Sequence, residues 1–137
     1  MDDLAAAYGR LSPVERAVAD WQMKWLSKRL DHQVPPSGDW SIWMLLAGRG
    51  AGKTRTAAEV LGQWAITQAG TRWLVSAPTY GDLTGVCFEG ESGLINVIPP
   101  ELIEAYNRSE VEIRMVNGST IKGITAEKPE RFRGPQF

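Results

Sequence analysis

Ala47-Gly48-Arg49-Gly50-Ala51-Gly52-Lys53-Thr54 is the stretch on which the reading of this chain turns. Three glycines at alternate positions lead into a lysine and a hydroxyl residue. The order fits the P-loop pattern G-x-x-x-x-G-K-[ST], with Ala47 standing where the strict form has glycine. Gly48, Gly50 and Gly52 let successive backbone N–H groups curl around a phosphate without Cβ clashes. The flanks suit that use. Ile42-Trp43-Met44-Leu45-Leu46 reads as a buried strand. Thr54 to Ala69 reads as a helix with Ala57, Ala58, Leu61, Trp64 and Ala65 on one face, and Gly70 is its natural stop. The positive end of that helix would face the phosphate. In such a loop the lysine, here Lys53, reaches the β- and γ-phosphates of ATP, and the hydroxyl of Thr54 ligates Mg²⁺.

Downstream, Trp73-Leu74-Val75 reads as a second short strand, running into Ala77-Pro78-Thr79. Strand, helix, strand in this order predicts a βαβ unit with parallel pairing and a right-handed crossover. The fold class expected is therefore α/β: a P-loop NTPase of the ASCE/RecA-like kind, with three layers and a mainly parallel sheet. Leu83 to Phe88 has some helical character, interrupted by the glycines around it. Pro99-Pro100 breaks the chain. Val111, Ile113 and Met115 alternate, Asn117-Gly118 supplies a hairpin turn, and Thr120 to Thr125 returns.

Upstream, Ser12-Pro13-Val14-Glu15 is a helix start: Ser12 caps, Pro13 suits the first helical position and Glu15 completes a capping box. Val14, Ala17, Val18, Trp21 and Trp25 recur at helical spacing, which predicts a helix to about Leu30 with one apolar, core-facing stripe. His32 to Asp39, with Pro35-Pro36-Ser37-Gly38, reads as a linker. The organisation expected is a helical segment at 1–32 and the first part of an ATPase domain at 33–137.

The 137 residues allow one domain of ordinary size. With 43% hydrophobic and 23% charged residues the chain is neither disordered nor membrane-embedded, and no apolar run approaches a membrane span. Met1-Asp2-Asp3 lacks the basic-then-apolar order of a signal peptide. A single cysteine, Cys87, excludes an internal disulfide and fits a reducing compartment. The net charge of −1 gives no global attraction to nucleic acid. Charge is unevenly spread, however. Between Trp73 and Glu112 stand seven acids and only Arg108 as a base, whereas Ile113 to Phe137 holds five bases and two acids.

An enzyme with such a loop also needs a carboxylate at the end of a neighbouring strand to hold Mg²⁺ and align water. Val86-Cys87-Phe88-Glu89 is the nearest match, a short apolar run ending in an acid. The other reading places that acid beyond Phe137, which makes the chain a truncated ATPase domain, able to bind nucleotide and inactive alone.

The loop and its extension Arg55-Thr56, preceded by Gly38-Asp39-Trp40 and an apolar strand, resemble the ATPase domain of the large terminase subunit, the DNA-packaging motor of tailed bacteriophages and prophages. Glu89-Gly90-Glu91-Ser92-Gly93-Leu94 resembles a stretch common in phage packaging proteins. Pro129-Glu130-Arg131-Phe132-Arg133-Gly134-Pro135-Gln136-Phe137 resembles the run leading into the family's acidic Walker B strand. The resemblance spans roughly Gln33 to the end. It implies ATP hydrolysis driving double-stranded DNA into a preformed capsid in the host bacterial cytoplasm. It further implies portal and small terminase subunit as partners and a homo-oligomeric ring, with no membrane. Nothing in the chain corresponds to the family's nuclease. By motif position, Ala47, Gly48, Arg49, Gly50, Ala51, Gly52, Lys53 and Thr54 form the nucleotide loop. Arg49 matches the arginine the family is thought to place on the γ-phosphate in cis. Gln33 matches an adenine-reading glutamine, a role for which Gln22 competes. Arg133 sits where the family offers an arginine to a neighbouring subunit.

Two other readings remain open on the sequence. Ala77-Pro78-Thr79 resembles a strand-contacting segment of DExD/H helicases, which share the motor fold. A non-catalytic nucleotide-binding prophage remnant would suit a short gene product.

Overall fold

The computed structural model describes residues 2–46 and 52–127. Helix α1 (Asp2–Gly9) leads into α2 (Pro13–Lys28), and a 3-10 turn at Asp31–Gln33 follows. Helix α3 (Lys53–Thr67) runs to strand β1 (Arg72–Ala77). A short helix α4 (Tyr80–Asp82) continues into a π-helical turn at Leu83–Phe88, followed by α5 (Leu94–Val97). Strands β2 (Ile103–Asn107), β3 (Glu112–Met115) and β4 (Thr120–Thr125) complete the described fold.

The α2 start is built as the sequence specifies. Ser12 Oγ accepts from Glu15 N at 3.1 Å, and Glu15 Oε1 accepts from Ser12 N at 3.0 Å. Trp21 and Trp25 are its buried residues. Helix α3 ends two residues before Ala69, and Gly70 turns the chain with φ of +71°, a conformation that a side chain disfavours. The β3–β4 turn does more than reverse the chain. Asn117 Nδ2 donates to Ala65 O at 2.8 Å and Ile66 O at 2.9 Å, and Ser119 Oγ donates to Gln68 O at 2.8 Å. Carbonyls at the end of α3, which have no partner further along the helix, are thereby satisfied by the hairpin.

The sheet has the order β1-β4-β3-β2. Strands β1 and β4 are parallel, from Arg72 opposite Thr120 to Ala77 opposite Thr125. Strand β3 is antiparallel to both β4 and β2, with an irregularity between Ile103 and Ala105. Among the described residues the protein is thus α/β with a four-stranded mixed sheet, rather than the mainly parallel one expected. Ile113, Met115 and Ile121 project from the sheet into a core shared with Leu83, Phe88, Leu94, Ile98 and Leu102, all almost fully buried. Gly123 makes room there. A Cβ at this position would lie 2.8 Å from Val111 Cγ1 and 2.9 Å from Phe88 Cε1.

One sequence expectation about a strand is corrected. Ile42–Leu46 is not a strand, and Ile42, Met44 and Leu46 are each more than two-thirds exposed. An unbroken apolar run suits a central strand covered on both faces. Among the described residues the run pairs with no strand, and only Trp43 and Leu45 are partly covered. The parallel pairing expected across 42–75 is instead made by β1 with β4. The helical character read at Leu83–Phe88 is observed as a π-helical turn, so the Val86–Glu89 run is not an acid-tipped strand; Glu89 is the C-terminal cap residue of that turn, with its N–H donating to Thr84 O at 2.8 Å.

Candidate functional site

Gly52 is the cap residue of α3 and has φ of +78°, in the left-handed region that glycine tolerates. It brings no side chain to the first turn of the helix, and that turn contains no acid. Instead it holds Lys53 and Arg55, whose charge adds to the positive end of the helix. Lys53 is exposed and Thr54 half-buried. A helix start of this composition has the chemistry for an anion.

Three donors converge on the Gly52 carbonyl: Thr56 N at 2.9 Å, Thr56 Oγ1 at 2.7 Å and Gln33 Nε2 at 3.4 Å. Gln33 is buried in the 3-10 turn that follows α2. Its Nε2 also donates to Thr56 Oγ1 at 2.9 Å, and its Oε1 accepts from Leu30 N at 2.8 Å. The fit is close. A Cβ on Gly52 would lie 2.6 Å from Gln33 Nε2. The structure therefore brings Gln33, Gly52, Lys53 and Thr54 together at one helix start. Ala47, Gly48, Arg49, Gly50, Ala51 and Arg133 lie outside the described residues.

A second polar cluster sits further along α3. Glu59 is buried at 2% exposure. Its Oε2 accepts from Trp21 Nε1 at 2.6 Å and Gln63 Nε2 at 3.4 Å, and its Oε1 accepts from Arg55 Nε at 2.8 Å. The Trp21 ring also packs against Gly62, where a Cβ would be 2.7 Å from the indole Cη2. The sequence reading took Trp21 as a packing residue and did not single out Glu59. The Arg55–Glu59 spacing of four residues was visible as a helix ion pair. The indole partner, 38 residues away, had no sequence signal.

Thr54 borders a small apolar cavity of about 60 Å³ with Ala57, Ala58, Leu61, Val75, Cys87 and Leu94. Burial raises the pKa of the Cys87 thiol, and Asp82 adds to the shift, so the reactive thiolate is disfavoured there. Glu89 is engaged elsewhere, accepting from Tyr106 Oη at 2.9 Å and Arg108 Nε at 3.1 Å. Burial, followed by Glu89, raises the pKa of the Tyr106 hydroxyl. Among the described residues no group of three or more His, Cys, Asp or Glu side chains is placed to hold a metal ion.

An aromatic chain leads from the linker to the sheet. Trp43 and Trp40 have ring centres 6.2 Å apart, Trp40 and Trp64 6.3 Å, and Trp64 and Trp73 6.0 Å. It anchors the segment preceding the glycine-rich loop against α3 and β1. None of the described helices is long and apolar enough to cross a membrane.

These residues define an α/β protein in which a glycine-capped, basic helix start is braced by an N-terminal helical segment. Residues 44–137 match the family model described as terminase large subunit, T4likevirus-type, N-terminal. The match covers more than half of the chain, which belongs to this family. A comparison with curated proteins finds no match.

Proposed function

We propose that the chain is the ATP-binding part of a phage terminase large subunit, the ATP-driven motor that moves double-stranded DNA into a capsid. The observation that carries this reading is the Gly52-Lys53-Thr54 start of α3 within a chain of the terminase large subunit family. The residues present fit ATP·Mg²⁺. Lys53 is accessible, Thr54 adjoins it with a hydroxyl suited to Mg²⁺, and no acid in the first turn opposes a triphosphate. Lys53 would neutralise β- and γ-phosphate charge, and Arg49 would add charge at the γ-phosphate. Bound Mg²⁺ would offset the remaining negative charge. Arg133 would serve a neighbouring subunit in a ring docked on the portal, with the small terminase subunit as a further partner.

For Gln33, reading adenine would mean exchanging its bonds to Leu30, Gly52 and Thr56 for bonds to the base. Titration with ATP and GTP tests that role. A Gln33→Ala chain that loses discrimination between the bases supports reading, whereas equal weakening for both assigns Gln33 to holding Gly52.

The decisive experiment is equilibrium binding of a fluorescent ATP analogue with Mg²⁺ to the wild-type chain and to Lys53→Ala. Binding that is lost in the variant, with the fold intact by circular dichroism, is the expected result. Equal binding by both would overturn the assignment of the loop.

A further inference from the structure

The N-terminal segment grips α3 at two heights. Gln33 reaches the Gly52 carbonyl and Thr56 Oγ1 in the first turn. Trp21 reaches Glu59 and covers Gly62, about two to three turns beyond Gly52. Residues 52 to 62 span about 15 Å of helix. Two fixed points at that separation set both the position and the direction of a helix axis. The upper point is built to hold a direction. The indole N–H has one donor direction, the carboxylate is buried, and its second oxygen is pulled towards Arg55 at 2.8 Å. Gly62 adds a steric stop, since the ring sits where a Cβ would be.

We infer that Trp21 and Glu59 are positioning residues for the nucleotide site: their buried hydrogen bond aims α3, and through it Lys53 and Thr54, at the phosphates. This inference rests on the ATP-binding reading. Neither residue touches the nucleotide; both act through the helix that carries the residues that do. Helix α2 is then part of the nucleotide site.

The test uses the full chain and reads two quantities: amide hydrogen exchange from Thr56 to Val60 without ligand, and the dissociation constant for ATP·Mg²⁺. Trp21→Phe keeps a ring over Gly62 and removes the N–H. Glu59→Leu removes the acceptor with a side chain suited to burial, and Glu59→Gln keeps an acceptor for the indole. Exchange is expected to rise in Trp21→Phe and Glu59→Leu, with affinity falling between about twofold and about thirtyfold, the span of known couplings through a packed network. Glu59→Gln should stay near wild type, and Trp21→Phe/Glu59→Leu should be no worse than the poorer single variant.

Unchanged affinity in both single variants, whether or not exchange rises, or effects that add in the double variant, overturn the inference. Loss in Glu59→Gln as large as in Glu59→Leu overturns it too, because the charge pair with Arg55 would then be the operative contact. Should wild type show no Lys53-dependent ATP binding, the nucleotide reading fails, and the inference about the nucleotide site fails with it. Exchange would still report whether the tie aims α3, which separates the two failures.

Discussion

Lys53 and Gly52 are neighbours with opposite sensitivities. Lys53 is exposed at the first position of α3, so Lys53→Ala should cost less stability than Gly52→Ala while, on the proposed nucleotide role, removing ATP binding. Gly52→Ala should do the reverse of a silent change. An alanine must adopt φ near +78° and place Cβ 2.6 Å from Gln33 Nε2. The left-handed conformation alone costs roughly 1–2 kcal/mol, and the displaced glutamine adds to it. Urea midpoints for the two variants would check this, and a Gly52→Ala chain as stable as wild type would contradict the described cap. At this scale the sequence was informative about type and silent about partners. The glycine-rich pattern located Gly52, Lys53 and Thr54, and Gln33 was singled out. The bonds of Gln33 to Gly52 and Thr56 cross about twenty residues and depend on how the linker folds.

Among elements, α2 and α3 were the most legible, because a capping box and a 3.6-residue apolar rhythm are both local. Their ends moved by only a few residues. Strand β2 was missed: Ile103-Glu104-Ala105-Tyr106-Asn107 sits at a sheet edge, with Glu104 exposed and the pairing to β3 irregular, so no clean alternation marks it. Ile42–Leu46 erred the other way. Its composition favours a strand, but a strand also needs partners, which composition does not supply. The hairpin turn was found, but not its service to α3. Asn117→Ala leaves the Ala65 and Ile66 carbonyls without the amide donor, which should cost about 1–3 kcal/mol. Ser12→Ala, at an exposed cap, should cost about 1 kcal/mol. Denaturant unfolding that ranks Ser12→Ala as the more damaging would contradict this account of how α3 is anchored.

For the whole molecule, alkaline pH is the informative variable. Tyr106 has its pKa raised by burial and by Glu89, so the folded protein holds this phenol proton more tightly than the unfolded chain does. The stability it contributes is fully present below the ordinary tyrosine value near 10 and declines as pH rises above it. Stability should therefore fall more steeply above pH 10 in wild type than in Tyr106→Phe, as followed by thermal melts across that range. On the proposed role of Arg133, rings of a full-length protein in which Arg133→Ala is mixed with Lys53→Ala should recover part of the ATPase activity that each variant lacks alone. A mixture as inactive as its components, with mixed rings demonstrated, would remove Arg133 from a role in trans.

The chain of indoles from Trp43 through Trp40 and Trp64 to Trp73 has an optical consequence. Rings with centres 6.0–6.3 Å apart and planes inclined at 30–61° are close enough to share their excitation, so circular dichroism is expected to show paired bands of opposite sign. Trp40 and Trp43 lie on the segment that enters the glycine-rich loop, while Trp64 and Trp73 are fixed on α3 and β1. Any shift of the loop on taking up ATP would change the coupling between the two halves. On the proposed ATP-binding role, the protein would carry a label-free gauge of occupancy, and Trp40→Phe should silence the ligand-dependent part of that signal.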